Sequence, residues 1–284
     1  MKNTAILLIS CPDRKGLVAT ISDFVFRHNG NILHADEHAD EESGLFLMRV
    51  EFDPAQFDID LAKFTDHFSP IAQKYEMTWR LAQSNYRPKM AILVSRYDHC
   101  LVDLLYRHKS GELRCEIPVI IANHPDSRST SEFYGIPFEV VETPKDDRRA
   151  AEEKILALLR QHGPDFLVLA RYMQILSSEF VAEYPHRIIN IHHSFLPAFV
   201  GAKPYHQAFE RGVKLIGATS HYVTNVLDDG PIIEQDVVRI SHRDTLDHLL
   251  QKGRDLEKVV LSRAVRWHIE NRILLYGNKT VVFS

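Results

Sequence analysis

Residues 187–199 read RIINIHHSFLPAF: an apolar run ends in an amide, two imidazoles and a hydroxyl, and Pro197 follows. A short apolar run bounded by polar and turn residues fits a strand covered on both faces. The chain ahead of it repeats that form. KMAILVS (89–95), IPVIIANH (117–124), IPFEVVE (136–142) and DFLVLARY (165–172) are apolar runs. Between them lie CLVDLLYRHKSG (100–111), STSEFYG (129–135) and DRRAAEEKILALLRQHGP (147–164), which carry helical spacing. Such alternation predicts a mostly parallel, Rossmann-like α/β sheet with helices on both faces. Ligands of open sheets gather at the carboxyl ends of the strands, where Asn190, His192 and His193 stand. Downstream, KLIGATSHYV (214–223) and PIIEQDVVRI (231–240) read as a hairpin pair with Leu227-Asp228-Asp229-Gly230 as turn chemistry. A helix over about 246–271 then packs back on the sheet.

The first eighty residues follow another rhythm. TAILLISC (4–11) is strand-like, and Leu17, Val18, Ile21, Phe24 and Val25 lie on one helix face that stops at Asn29-Gly30. NILHADEHAD (31–40) and GLFLMRVEFD (44–53) are strand candidates around a hairpin-type turn. The polarity of the first marks an edge or interface strand. A helix over about 55–74 and the strand MTWRLA (77–82) complete a ferredoxin-like βαββαβ domain. AQSNYRPK (82–89) is polar, aperiodic and contains Pro88. The reading is a first domain at 1–82, a linker at 83–88 and a second domain at 89–284.

The chain has 284 residues, 45% of them hydrophobic, and a formal net charge of −4, which leaves no electrostatic footprint for nucleic acid. No segment approaches the roughly 18 apolar residues a membrane span needs. Cys11-Pro12-Asp13-Arg14 interrupts the N-terminal apolar run before a signal peptide is complete. Three widely spaced cysteines support neither a disulfide framework nor a cysteine zinc site, so a reducing, cytoplasmic compartment is expected.

Sixteen histidines raise the question of a metal. His192 and His193 are adjacent on the predicted strand, so their side chains diverge and converge poorly on one ion; no metal is expected. Asn190 and His192, two apart, share a face and leave His193 for the other side. Asp228, by spacing alone, is either a turn residue or a member of a site. His221 fits a supporting position or a core hydrogen bond, and Lys203, Tyr205 and His206 mark a helix start near the site.

RYMQILSSEF (171–180), NIHHSFLPAF (190–199) and IGATSHYVTNVLDDGPIIEQ (216–235), in that order, resemble the folate-dependent formyltransferase family, typified by glycinamide ribonucleotide transformylase. The likeness covers about 89–284. It implies the formyltransferase fold and a catalytic set of Asn190, His192 and Asp228. The apolar loop that receives the pterin is then Arg171, Tyr172, Met173, Gln174, Ile175 and Leu176, with Val223 opposite. ISCPDRKGLVATISDFVFRHNGNI (9–32) is similar to the ACT domain, an amino-acid-sensing module, with Asp13, Gly16 and Asn31 as its possible effector loop. The two together resemble the formyltetrahydrofolate deformylases.

The transformylases carry a glycine-rich, phosphate-holding loop after their first strand, whereas this chain has SRYDHCLVDLL (95–105), so water is the expected acceptor. The implied activity is hydrolysis of 10-formyltetrahydrofolate to tetrahydrofolate and formate, balancing the one-carbon pool and supplying formate for purine synthesis. The folate is the substrate and no cofactor is expected. The alternatives are a formyltransferase with an amine acceptor and a non-catalytic amino-acid or folate sensor. The resemblance also implies a homo-oligomer, dimer or tetramer, and a small amino-acid effector such as glycine or methionine.

Overall fold

The computed structural model describes residues 3–144, 147–198 and 204–283. They form two compact units, one of residues 3–86 with 270–283, the other of residues 87–269.

In the first unit β1 (Ala5–Pro12), α1 (Leu17–Arg27), β2 (Asn31–Asp40), β3 (Leu45–Asp53), α2 (Phe64–Lys74) and β4 (Thr78–Gln83) follow the βαββαβ order. The antiparallel sheet runs β2-β3-β1-β4. Ala5, Leu7 and Ile9 turn one face to Ile21, Phe24, Phe64 and Phe68 of the helices. The second helix is shorter than its spacing predicts, because residues 55–60 are not helical; one 3-10 turn at Leu61–Lys63 precedes α2.

The second unit alternates strand and helix: β5 (Met90–Val94), α3 (His99–Lys109), β6 (Ile120–Ala122), α4 (Arg128–Tyr134), β7 (Phe138–Val140), α5 (Arg148–His162), β8 (Phe166–Ala170), α6 (Ser178–Glu183) and β9 (Ile188–His192). Then come α7 (Pro204–Glu210), β10 (Leu215–Tyr222), β11 (Ile232–Arg239) and the long α8 (Leu246–Ile269). Sheet order is β11-β10-β9-β8-β5-β6-β7, with β5 to β9 parallel and β10 and β11 antiparallel. All five residues of β5 are fully buried, as a strand covered on both faces requires. The order reverses between β5 and β8, and such a switch point opens a crevice at the carboxyl ends of its strands.

One expectation is corrected here. The second domain was expected to reach residue 284, yet β12 (Ile273–Tyr276) and β13 (Lys279–Val282) form a hairpin on the first unit. The cause lies in β1, whose Ile6 and Leu8 turn a second apolar face outward. Leu274, Val281 and Phe283 cover it. Strand β9 ends at His192, five residues before Pro197. No helix of the described residues is long and apolar enough to cross a membrane, and all three cysteines are free and buried.

The connection between β10 and β11 depends on Gly230. A Cβ there would lie 1.7 Å from the Tyr222 carbonyl oxygen, so the backbones touch where only glycine fits. Gly230→Ala is expected to cost about 3 kcal/mol and lower the thermal midpoint by roughly 5–10 °C. Gly163→Ala, which meets open space at φ 58°, should cost only about 1–2 kcal/mol. Equal midpoints for the two variants would show that the turn can give way.

Candidate active site

A cavity of about 310 Å³ opens at the carboxyl ends of β8 and β9. The segment from Arg171 to Leu176 after β8 forms one wall and the 223–228 loop after β10 the other, with Asn190, His192 and His193 at the base. Every residue of the implied folate loop, together with Val223, lines it. Arg171 and Asp228 both hold the left-handed backbone region, at φ 62° and 55°. Side chains rarely adopt this conformation unless the surroundings impose it.

Asn190, His192 and Asp228 are brought together. His192 Nδ1 lies 3.3 Å from Asp228 Oδ1, and the buried His192 Nε2 has no hydrogen-bond partner among the described residues. Burial pushes the Asp228 carboxyl up, but the hydrogen bond and charge of His192 outweigh it and hold the group below its ordinary value. The site is therefore an ionised carboxylate behind an imidazole whose far nitrogen is buried and unpartnered among the described residues.

His221 belongs to this set more closely than its position in the sequence revealed. It stands near the end of β10, opposite Asn190. Its Nδ1 lies 3.0 Å from the Tyr222 carbonyl oxygen, so Nδ1 carries the proton and donates. Its Nε2 then accepts from Asn190 Nδ2 at 3.2 Å. Burial depresses the His221 pKa, which agrees with the neutral ring this arrangement needs. One amide hydrogen of Asn190 is thereby spent and the other is left for a ligand.

His193 corrects a second expectation. Because β9 ends one residue earlier, its ring does not turn to the opposite face; it lies 5.4 Å from the His192 ring and lines the same cavity. Burial first, then the charge of Arg171, pushes its pKa down to about 3, so it is neutral under working conditions. Beyond it a second cavity of about 270 Å³ is lined by Tyr97, His99, Arg171, His193, Tyr205 and Arg254, among others. Its floor is Glu257 of α8, 1% exposed. Glu257 accepts from Tyr205 Oη at 2.8 Å and bonds His99 Nε2 at 2.7 Å. Burial pushes this carboxyl up, yet the His99 hydrogen bond and the Arg171 charge hold it low.

Donor atoms of His99, Cys100 and Glu257 lie within 4.8 Å of one another, a spacing open to a metal. Here the carboxylate already serves Tyr205 and His99 with a guanidinium beside it, and burial pushes the Cys100 thiol well up, so the chemistry is that of an ion-pair network. Sequence reading missed Glu257. The available signal was an acid on the apolar stripe Leu249, Gly253, Glu257, Val260, Leu261, Ala264 of α8. Lys203 and Phe199 lie outside the described residues. In the first unit Asp13 and Gly16 flank one loop, but Asn31 does not join them. By register Pro12 pairs with Leu45 and Leu45 with Asp40, whereas Asn31 pairs with Asp53 at the other end of the sheet.

The formyl transferase family model matches residues 88–265 and the ACT domain model residues 5–66. The formyltetrahydrofolate deformylase of Synechocystis is 55% identical over 281 residues, covering 99% of both chains. That of Bacillus subtilis is 50% identical over 279 residues, covering 98% of this chain and 93% of its own. The crystal structure of a formyltetrahydrofolate deformylase from Pseudomonas syringae pv. tomato superposes with a TM-score of 0.97 at 51% identity, covering 100% of this chain and 95% of that one. Two domain types in one order, matched along their whole length by proteins of one kind, decide the assignment: the chain belongs to the formyltetrahydrofolate deformylase family.

Proposed function

We infer that the protein hydrolyses 10-formyltetrahydrofolate to tetrahydrofolate and formate. The observation that carries this reading is the ionised Asp228 behind His192, both lining the cavity that the whole 171–176 segment walls, with His192 Nε2 unpartnered among the described residues. The pterin enters between the 171–176 segment and the 223–228 loop, leaving the formyl group at Asn190 and His192. Asp228 takes a proton from a water as its oxygen attacks the formyl carbon. The free Nδ2–H of Asn190 and Nε2–H of protonated His192 stabilise the developing oxyanion. As the C–N bond breaks, the proton held by Asp228 passes to the folate nitrogen, and the formic acid formed leaves as formate, its proton going to solvent. His221 acts through Asn190, fixing which way its amide points.

Water as the acceptor is supported by residues 95–98, which join β5 to α3. Instead of a glycine cradle they present Ser95, Arg96, Tyr97 and Asp98, and Ser95 Oγ is occupied by the Met173 backbone N–H at 3.0 Å. The exposed edge strand β2 supports a homo-oligomer, dimer or tetramer. The ACT match supports a small amino-acid effector, glycine or methionine, near Asp13 and Gly16. The free buried cysteines agree with a cytoplasmic setting.

Purified protein is expected to release formate from 10-formyltetrahydrofolate with no amine added; release that requires an amine acceptor would favour a transferase. Asn190→Ala should cut turnover by about 100-fold to 1000-fold with folate binding nearly intact. Asp228→Asn should remove nearly all activity, and a wild-type rate in that variant would leave Asp228 only its turn role. His193 makes a separate prediction. Its folded pKa, about 3, lies below the ordinary 6.5, so the unfolded chain binds the proton first as pH falls. The stability it contributes is whole above 6.5 and is lost as pH drops from there toward 3. Between pH 6.5 and about 5, above the carboxylate range, the urea midpoint of His193→Gln should fall less steeply than that of the wild type. Parallel slopes would contradict a neutral, buried His193.

A further inference from the structure

The second cavity lies outside the walls assigned to the pterin, and its most unusual lining residue is Arg171. This guanidinium is 8% exposed, and among the described residues neither Nε nor Nη1 has a hydrogen-bond partner. Glu257 Oε2 lies 3.4 Å from Nε, an ion-pair distance without hydrogen-bond alignment, while the two carboxylate oxygens bond His99 and Tyr205. A buried guanidinium with unused N–H groups carries a free-energy cost that an acceptor in the cavity would remove. His206 Nδ1, on the same wall, is also buried without a partner among the described residues.

The remaining wall is cationic at its mouth. Tyr97, half exposed, has the Arg171 guanidinium 5.6 Å from its ring centroid and that of Arg254 at 5.5 Å. Two arginines therefore stand against one carboxylate, which already bonds His99 and Tyr205. Arg171, Met173 and His193 line both cavities, so the second one begins at the wall of the first. Hydrolysis leaves a small planar anion beside this wall, while tetrahydrofolate still fills the cavity by which the substrate entered.

We propose that the cavity beneath Tyr97 is a site for the formate product, in which the unused N–H groups of Arg171 take its carboxylate, as guanidinium pairs with planar carboxylates generally. Arg254 stands at the mouth and draws the anion outward. Formate thus has a place of its own and leaves without waiting for tetrahydrofolate. This assignment rests on the hydrolase reading for the identity of the anion, but the site can be probed without turnover.

The test is titration of the intact, folate-free protein with sodium formate, followed by saturation transfer to the formate proton in NMR. Wild type is expected to bind formate saturably, with formate still bound when tetrahydrofolate is saturating. Arg171→Met should weaken binding by about tenfold or more, the loss of a charged hydrogen-bonding partner. Arg254→Met, at an exposed position, should weaken it less and carries the test if the buried variant does not fold. Arg160→Met, remote and exposed, should bind as wild type. Absence of saturable binding to wild type, equal affinity in Arg254→Met and Arg160→Met, or displacement of formate by tetrahydrofolate would each overturn the proposal. Saturable formate binding by a protein that releases no formate from 10-formyltetrahydrofolate would sink the hydrolase reading and leave the anion site standing.

Discussion

The site depends on the antiparallel pairing of β10 with β9, in which Thr219 lies opposite His192 and His221 opposite Asn190. Three consecutive buried residues of β10 reach across it. Thr219 Oγ1 donates to the Ser194 carbonyl at 2.8 Å and accepts from Leu196 N at 3.0 Å, Ser220 Oγ donates to the Asn190 carbonyl at 3.0 Å, and His221 accepts from the Asn190 amide. A slip of one residue would turn every one of these groups to the wrong face. The same strand runs on into the loop that carries Asp228, and Gly230 closes that loop against the Tyr222 carbonyl. One pairing therefore sets both members of the His192–Asp228 couple and the direction of Asn190.

Near that pairing the unit buries a charged pair, Arg171 and Glu257. Removing one partner of such a network leaves the other uncompensated, and replacement by apolar groups would pack at least as well. The polar cluster of Glu257, His99, Arg171 and Tyr205 is thus poorly accounted for by stability, which is why a ligand is the better explanation. Gly253 adds to this. A Cβ there would meet Tyr205 Cζ at 2.3 Å, so the smallest residue on the α8 stripe is what lets Tyr205 reach Glu257.

Much of the architecture was legible in the sequence because burial on both faces writes continuous apolar runs, and β5, β8 and β9 are such runs. The reach of the first unit was not, since the runs at 273–276 and 280–283 do not say which sheet they cover; only the outward face of Ile6 and Leu8 explains it. Asn190 and His192 followed from strand alternation, and Asp228 from resemblance, because no spacing rule links residue 192 to residue 228. His193 was misplaced by one residue of strand length. His221 was named but its partner was not, and Glu257 escaped, because their meaning is long-range: one acts through a cross-strand neighbour and the other lies 65 residues beyond the end of β9 on a helix packed back on the sheet.

The central claim is that a water held at Asp228 attacks a formyl carbon polarised by Asn190 and His192. A single turnover of 10-formyltetrahydrofolate in ¹⁸O-enriched water tests it directly, with the isotopic content of the formate read by mass spectrometry. The account predicts one oxygen from solvent and one from the original formyl group. Formate without solvent oxygen, or a formyl group recovered on another nucleophile, would contradict it.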